Sequence, residues 1–145
     1  MFKFVSIDPG KYKCGLVLVD INKKIVEQAI IVNTESLPQY VKKLKSYAKI
    51  SKVIIGNGTT SKENIKKLEF VEKDLIVSEE KNTTYRAKER YFELFPRKGL
   101  TRLLPRELSI LNKNLDAISA LIILEDYCKI EFTLSEKIET KTWLK

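Results

Sequence analysis

Three acidic residues stand where chemistry is possible. Asp8 lies in Ser6-Ile7-Asp8-Pro9-Gly10, Glu80 in Glu79-Glu80-Lys81, and Asp116 in Asp116-Ala117-Ile118-Ser119-Ala120. Taken singly, each has an ordinary explanation. Asp-Pro-Gly is a turn in which proline fixes φ and glycine supplies a positive φ. Glu79 and Glu80 are polar residues ahead of a helix capped by Thr83 or Thr84, and an acid at Asp116 suits the positive end of a helix. Taken together they form an oxygen-only ligand set, which favours hard Mg²⁺ or Mn²⁺. Two such ions about 3.5–4 Å apart can hold the attacking and leaving oxygens of an in-line phosphodiester hydrolysis.

Other chemistries are excluded by composition. The chain has no histidine, so nucleophilic systems that shuttle a proton through imidazole are absent. Its two cysteines, Cys14 and Cys128, lack CxxC spacing and have no histidine to complete a zinc site; they read as reduced, structural thiols. Catalysis would have to run on carboxylates, metals or lysine.

The charge balance points to a polyanionic partner. Net charge is +8 and the pI about 9.4, which favours phosphate neutralisation and counterion release. All five arginines, Arg86, Arg90, Arg97, Arg102 and Arg106, fall in one segment, whereas lysines are scattered over the whole chain. A guanidinium grips phosphate with a planar fork and an ammonium does not. The segment therefore reads as a nucleic-acid contact surface, with a merely solvated basic helix and loop as the plain alternative. Gly56-Asn57-Gly58-Thr59 offers backbone amides ahead of a helix, an arrangement that can meet phosphate. It equally reads as a glycine turn and lacks the lysine of a P-loop.

These residues must be positioned by alternating elements. Lys3 to Asp8, Gly15 to Ile21 and Lys24 to Val32 read as three β-rich runs joined by short polar turns, an antiparallel meander. Ser36-Leu-Pro-Gln39 resembles a capping box opening a helix with Leu37, Val41, Leu44, Tyr47 and Ala48 on its apolar side. A strand at Lys52 to Ile55 follows, then a second capping box at Thr60-Ser-Lys-Glu63. Leu75 to Val77 reads as a strand, Thr84 to Leu94 as a helix, and Leu115 to Cys128 as the last helix. The basic segment from Phe95 to Asn114 has no firm period, and the tail after Ile130 is left unassigned.

The order β-β-β-α-β-α-β-α-loop-α predicts a mixed α/β fold: three antiparallel strands extended by two parallel ones into a five-stranded sheet flanked by helices. Asp8 and Glu80 are expected at the C-terminal ends of adjacent central strands. Asp116 is expected to begin a helix whose Ala117 and Ala120 permit close approach to the sheet. At 145 residues, 43% hydrophobic and 32% charged, the chain is expected to be one domain over 1–145, with a core over about 1–128. The longest apolar run, Ala117 to Leu124, is too short for a bilayer, and the N-terminus lacks signal-peptide features. A cytoplasmic location without membrane association is expected, as monomer or homodimer.

Ile7-Asp8-Pro9-Gly10 followed by Gly15-Leu-Val-Leu-Val-Asp20, Val53-Ile-Ile-Gly56, Glu79-Glu80-Lys-Asn-Thr83-Thr84 with Ala87, and Asp116-Ala-Ile-Ser-Ala120 resemble the YqgF/RuvX family of ribonuclease H-like proteins. The resemblance runs from Met1 to about Tyr127. That family is associated with trimming the ribosomal RNA precursor and was earlier linked to Holliday junction resolution; RuvC resolvases are more distant relatives. The resemblance implies a ribonuclease H-like fold. It matches Asp8 to the family's first acidic residue, Glu80 to the glutamate of its Asp-Glu-Arg motif, and Asp116 to the acid opening the last helix. Glu79 stands in place of the family's aspartate, Lys81 in place of its arginine, and the segment from Phe95 to Lys113 is longer than in common members. Lys81 keeps the charge but loses bidentate geometry.

Three functions follow for test. The favoured one is a metal-dependent nuclease in which Asp8, Glu80 and Asp116 hold Mg²⁺ or Mn²⁺. Lys81, Arg86, Arg90, Arg97, Arg102 and Arg106 then contact structured RNA or branched DNA. The second is a nucleic-acid-binding or regulatory protein of the same fold with little catalysis. Actin-like ATPases and sugar kinases also carry an Asp-Gly phosphate motif on their first strand, but need two related lobes, for which this chain is too short.

Overall fold

The computed structural model describes residues 2–138; residues 139–145 of the tail lie outside it. Three strands, β1 (Lys3–Asp8), β2 (Lys13–Asp20) and β3 (Ile25–Asn33), form the expected antiparallel meander. Helix α1 (Leu37–Tyr47) crosses to β4 (Ile50–Gly56), which lies parallel to β1. Helix α2 (Ser61–Lys67) leads to β5 (Leu75–Ser78), parallel to β4. Helices α3 (Thr83–Leu94), α4 (Arg106–Ile110) and α5 (Asp116–Cys128) follow.

The sheet has six strands rather than five, in the order β5-β4-β1-β2-β3-β6. The added strand, β6 (Thr133–Leu134), pairs parallel to β3 within the tail that local pattern left unassigned. Two residues carry no readable period; Phe132, buried beneath them, is what anchors the segment. A second correction concerns adjacency. β4 lies between β1 and β5, so the strands carrying Asp8 and leading to Glu80 are not neighbours.

Period-2 alternation sorts the sheet's side chains onto two cores. Leu16 and Leu18 of β2 pack on one face with Val5, Ile7 and the α1 residues Leu37, Val41 and Leu44. Val17 and Val19 pack on the other with α5. Both faces of β2 are therefore covered, and its near-continuous apolar run follows from that. Helix α5 is buried along Ala117 to Leu124 because the sheet lies on one side and Ala87 and Tyr91 of α3 on the other. Fully burying a side chain such as Ile118, Leu121 or Leu124 stabilises the fold by about 1.5–3 kcal/mol.

Neither expected capping box forms. Ser36 and Thr60 occupy the N-cap positions of α1 and α2 but make no capping hydrogen bond. A 3₁₀ turn at Thr34–Ser36 runs directly into α1, and the Thr60 hydroxyl instead donates to the Pro9 carbonyl, tying the loop after β4 to the end of β1. Both cysteines are free. No helix among the described residues is long and apolar enough to cross a membrane.

Candidate active site

Parallel strands deliver their C-terminal ends to one edge, and that edge collects the three acids. Asp8 is the last residue of β1, opposite Gly15 of β2. Gly56 ends β4 and pairs with Ser78, the end of β5. Glu80 follows two residues later. From there its side chain must pass over β4 to approach Asp8, since neighbouring strands are about 4.8 Å apart and two intervals separate β5 from β1.

Gly56 makes that crossing possible. A Cβ at position 56 would lie 1.8 Å from Glu80 Oε1, so any other residue would occupy the space the carboxylate uses. The Asn57 amide nitrogen donates to the Ser78 carbonyl, and the Asn57 side-chain oxygen accepts from the Glu80 backbone amide. The Gly58 backbone amide donates to the Glu80 carboxylate. The glycine loop is therefore a cradle for Glu80, a role distinct from both the phosphate loop and the plain turn. The signal was the pairing of Gly56-Asn57-Gly58 with an acid just past the next parallel strand.

Asp116 arrives from the other side. It is the first residue of α5, its backbone amide held by the Asn114 side-chain oxygen at 2.9 Å. Its carbonyl packs directly over Gly15, the residue opposite Asp8.

The electrostatics register the convergence. Burial pushes the Asp8 carboxyl up to about 7, and the negative fields of Glu80 and then Asp116 push it the same way. Burial also raises Glu80, opposed by the hydrogen bond from Gly58. Glu80 Oε1 is buried without a hydrogen-bond partner among the described residues. No group of three or more His, Cys, Asp or Glu side chains among those residues is gathered tightly enough to hold one metal ion. The two findings agree, because like charges act over several ångströms while metal–oxygen bonds are about 2.0–2.6 Å long. An orphaned buried oxygen and a hard, all-carboxylate donor set fit a divalent cation.

A comparison with solved structures decides the architecture. The chain is similar to T. thermophilus RuvC in complex with Holliday junction substrate, with a TM-score of 0.50 over 89% of this chain and 96% of that one, at 13% identity. The fold is ribonuclease H-like. A weaker likeness, at TM-score 0.40 and 14% identity, covers 68% of this chain and 43% of the Aquifex aeolicus Ppx/GppA phosphatase in its type II variant. No family model and no curated protein sequence matches the chain.

On this ribonuclease H-like scaffold the five arginines divide by their partners within the fold. The two N–H groups of Arg86 grip Asp126 at 2.6 and 2.8 Å. Arg90, nearly buried, donates to Glu125, to Glu93 and to the Phe132 carbonyl. Both fasten α3 to α5, because residues 86 and 90 share the helix face turned toward Glu125 and Asp126, and Arg90 also ties down the tail through Phe132. Arg97, Arg102 and Arg106 lie on the segment after α3, where Arg97 and Arg102 hydrogen-bond loop carbonyls and Arg106 pairs loosely with Glu89. Lys81 is exposed beside Glu79, 3.3 Å away.

Proposed function

We propose that the protein is a metal-dependent nuclease that hydrolyses phosphodiester bonds in structured nucleic acid. The observation that carries this reading is the convergence of Asp8, Glu80 and Asp116 at one sheet edge, with Asp8 strongly perturbed and a Glu80 oxygen left buried without a partner. Asp8, Glu80 and Asp116 would hold Mg²⁺ or Mn²⁺, which when bound activates water and stabilises the leaving oxygen. Asp8 must lose its proton for this role, and its raised affinity for that proton ties activity to pH. The Gly56-to-Gly58 cradle fixes Glu80 before substrate arrives, so that orientation is preset in the fold. Arg97, Arg102 and Arg106 would hold the phosphate backbone near α4.

The order of short motifs supports placing the chain near the YqgF/RuvX proteins, with ribosomal RNA precursor or four-way DNA as substrate. A cleavage panel tests both levels: precursor ribosomal RNA, a four-way junction, single strand and an RNA–DNA hybrid, each with Mg²⁺ or Mn²⁺. Metal-dependent cleavage lost in Asp8→Asn supports the nuclease, and the preferred substrate assigns the class. Binding without cleavage by wild type under every metal condition would favour a regulatory nucleic-acid-binding protein instead.

A further inference from the structure

The segment between α3 and α5 leaves five leucines exposed: Leu100 and Leu103 at 83% and 81%, and Leu104, Leu108 and Leu111 to a lesser degree. Leu100 and Leu103 share the 3₁₀ turn Gly99–Leu103, where side chains three apart lie one above the other. The segment is nonetheless fastened in place. Arg97 donates to the Leu104 carbonyl at 2.6 Å, Arg102 to the Arg97 carbonyl at 3.1 Å, and Arg106 pairs with Glu89 of α3 at 3.4 Å. A single exposed leucine is ordinary, but several on one short, hydrogen-bonded segment mark an interaction surface.

Leu104 also lines a cavity of about 420 Å³, with Tyr91 and Phe92 beside it and Arg97, Lys98 and Lys113 as the charged lining, no acid among them. Arg97 and Lys113 are engaged with the rings of Phe92 and Tyr91. The Lys98 ammonium has no hydrogen bond, ion pair or ring contact with a described residue. From Pro96 to Lys113 the chain sets Arg97, Lys98, Arg102, Arg106 and Lys113 against Glu107 alone. A second copy meeting the same face about a two-fold axis would bring like charges together. A phosphate backbone would answer the charge but give the leucines nothing to bury against, and protein–DNA faces are more polar than protein–protein ones. Acids for the cations and an apolar side chain for the cavity are what a protein partner supplies, with the hydrophobic centre and polar rim of such interfaces.

We propose that this face docks a short acidic segment of a partner protein, whose leucine or aromatic side chain enters the cavity beside Leu104 while its carboxylates meet Lys98 and the neighbouring guanidinium groups. Leu100 and Leu103 cover the apolar side of that segment. The nuclease reading gives no part to these leucines or to Lys98, so the docking face stands apart from it.

The test presents the full-length wild-type protein to a phage-displayed random peptide library and measures the selected sequences, made synthetically, by fluorescence anisotropy. Wild type should select peptides that join Asp or Glu to Leu, Phe or Trp. The double variant L100S/L103S should bind them about tenfold more weakly, the loss that removing central apolar contacts brings, and Lys98→Glu should weaken them too. Both leucines project into solvent, so the fold tolerates serine there, and affinity for a DNA or RNA duplex should not change in L100S/L103S. Selection of no common sequence, or peptides bound equally by wild type and L100S/L103S, overturns the proposal. So does a variant that loses duplex or bulged-duplex affinity as steeply as peptide affinity, which would give the face to nucleic acid. Sedimentation of both proteins alone completes the test: self-association of wild type that L100S/L103S abolishes would put a second copy on this face and overturn the proposal as well. Cleavage in Mn²⁺ is scored separately, so peptide docking by a protein that cuts nothing keeps this face and removes only the nuclease reading.

Discussion

The carbonyl oxygen of Asp116 sits so close over Gly15 that a Cβ at position 15 would lie 1.9 Å from it. Because Gly15 is the register partner of Asp8, this approach sets the start of α5 against the end of β1 and brings two of the three acids together. The neighbour is backbone, so it cannot swing aside as a side chain would.

Gly15→Ala should therefore displace the N-terminus of α5, at a cost of about 1–3 kcal/mol of the kind that overpacking brings, and sharply reduce metal-dependent cleavage. Gly56→Ala meets the flexible end of Glu80 instead. It should cost less stability while still reducing cleavage by displacing that carboxylate. Denaturant unfolding beside cleavage assays separates the two; equal stability losses would contradict the distinction between backbone and side-chain neighbours.

Asp8→Asn and Glu80→Gln should each abolish metal-dependent cleavage and leave nucleic-acid binding largely intact, since binding is assigned to other residues. Near wild-type turnover by either variant at saturating Mg²⁺ would rule out the proposed ligand set.

The Asp8 carboxyl also predicts how stability depends on pH. Its folded-state value is raised from 3.8 to about 7, so between those limits the folded protein holds a proton that the unfolded chain has released. Stability from this group is thus full below about pH 4 and declines as pH rises to about 7, by at most about 4 kcal/mol. In chelator at pH 8, Asp8→Asn should melt above wild type and show a weaker decline from pH 4 to 7. Mn²⁺ should raise the wild-type melting temperature more than the variant's, because binding to the folded state stabilises it. If Asp8→Asn melts lower in chelator and Mn²⁺ shifts both proteins equally, Asp8 is acting as a turn residue.

The arginines should separate into two phenotypes. Replacing Arg97, Arg102 and Arg106 with alanine should weaken nucleic-acid binding and flatten its salt dependence, by up to about 0.9 in log-log slope for each duplex phosphate that is no longer neutralised. Arg90→Ala should instead destabilise the fold by about 3–5 kcal/mol, because it removes the cation paired with Glu125 where both side chains are largely buried and leaves that carboxylate only the Phe132 backbone amide. A large stability loss from the triple variant, with Arg90→Ala silent, would reverse the assignment.

The sequence by itself determined the types of β1 to β5 and of α1, α2, α3 and α5, the antiparallel start of the sheet, and which acids stand near strand and helix ends; the segment from Phe95 to Asn114, read as a loop, instead holds α4. Local signals were enough for these: alternation in β1 to β3, the apolar run of α5, and carboxylates placed where strands end and a helix begins. It did not determine that β4 separates Asp8 from Glu80, because strand order depends on crossover packing and not on any one strand's pattern. Nor did it determine β6, whose two residues are held by the burial of Phe132. Arg86 and Arg97 look alike as letters in one basic stretch; only the packing of α3 on α5 puts Asp126 within reach of the first and not the second. The same holds for Gly56, an ordinary turn residue by sequence. Its missing side chain matters because the tertiary fold carries Glu80 across that position, and close approach between distant segments is a property no local pattern encodes.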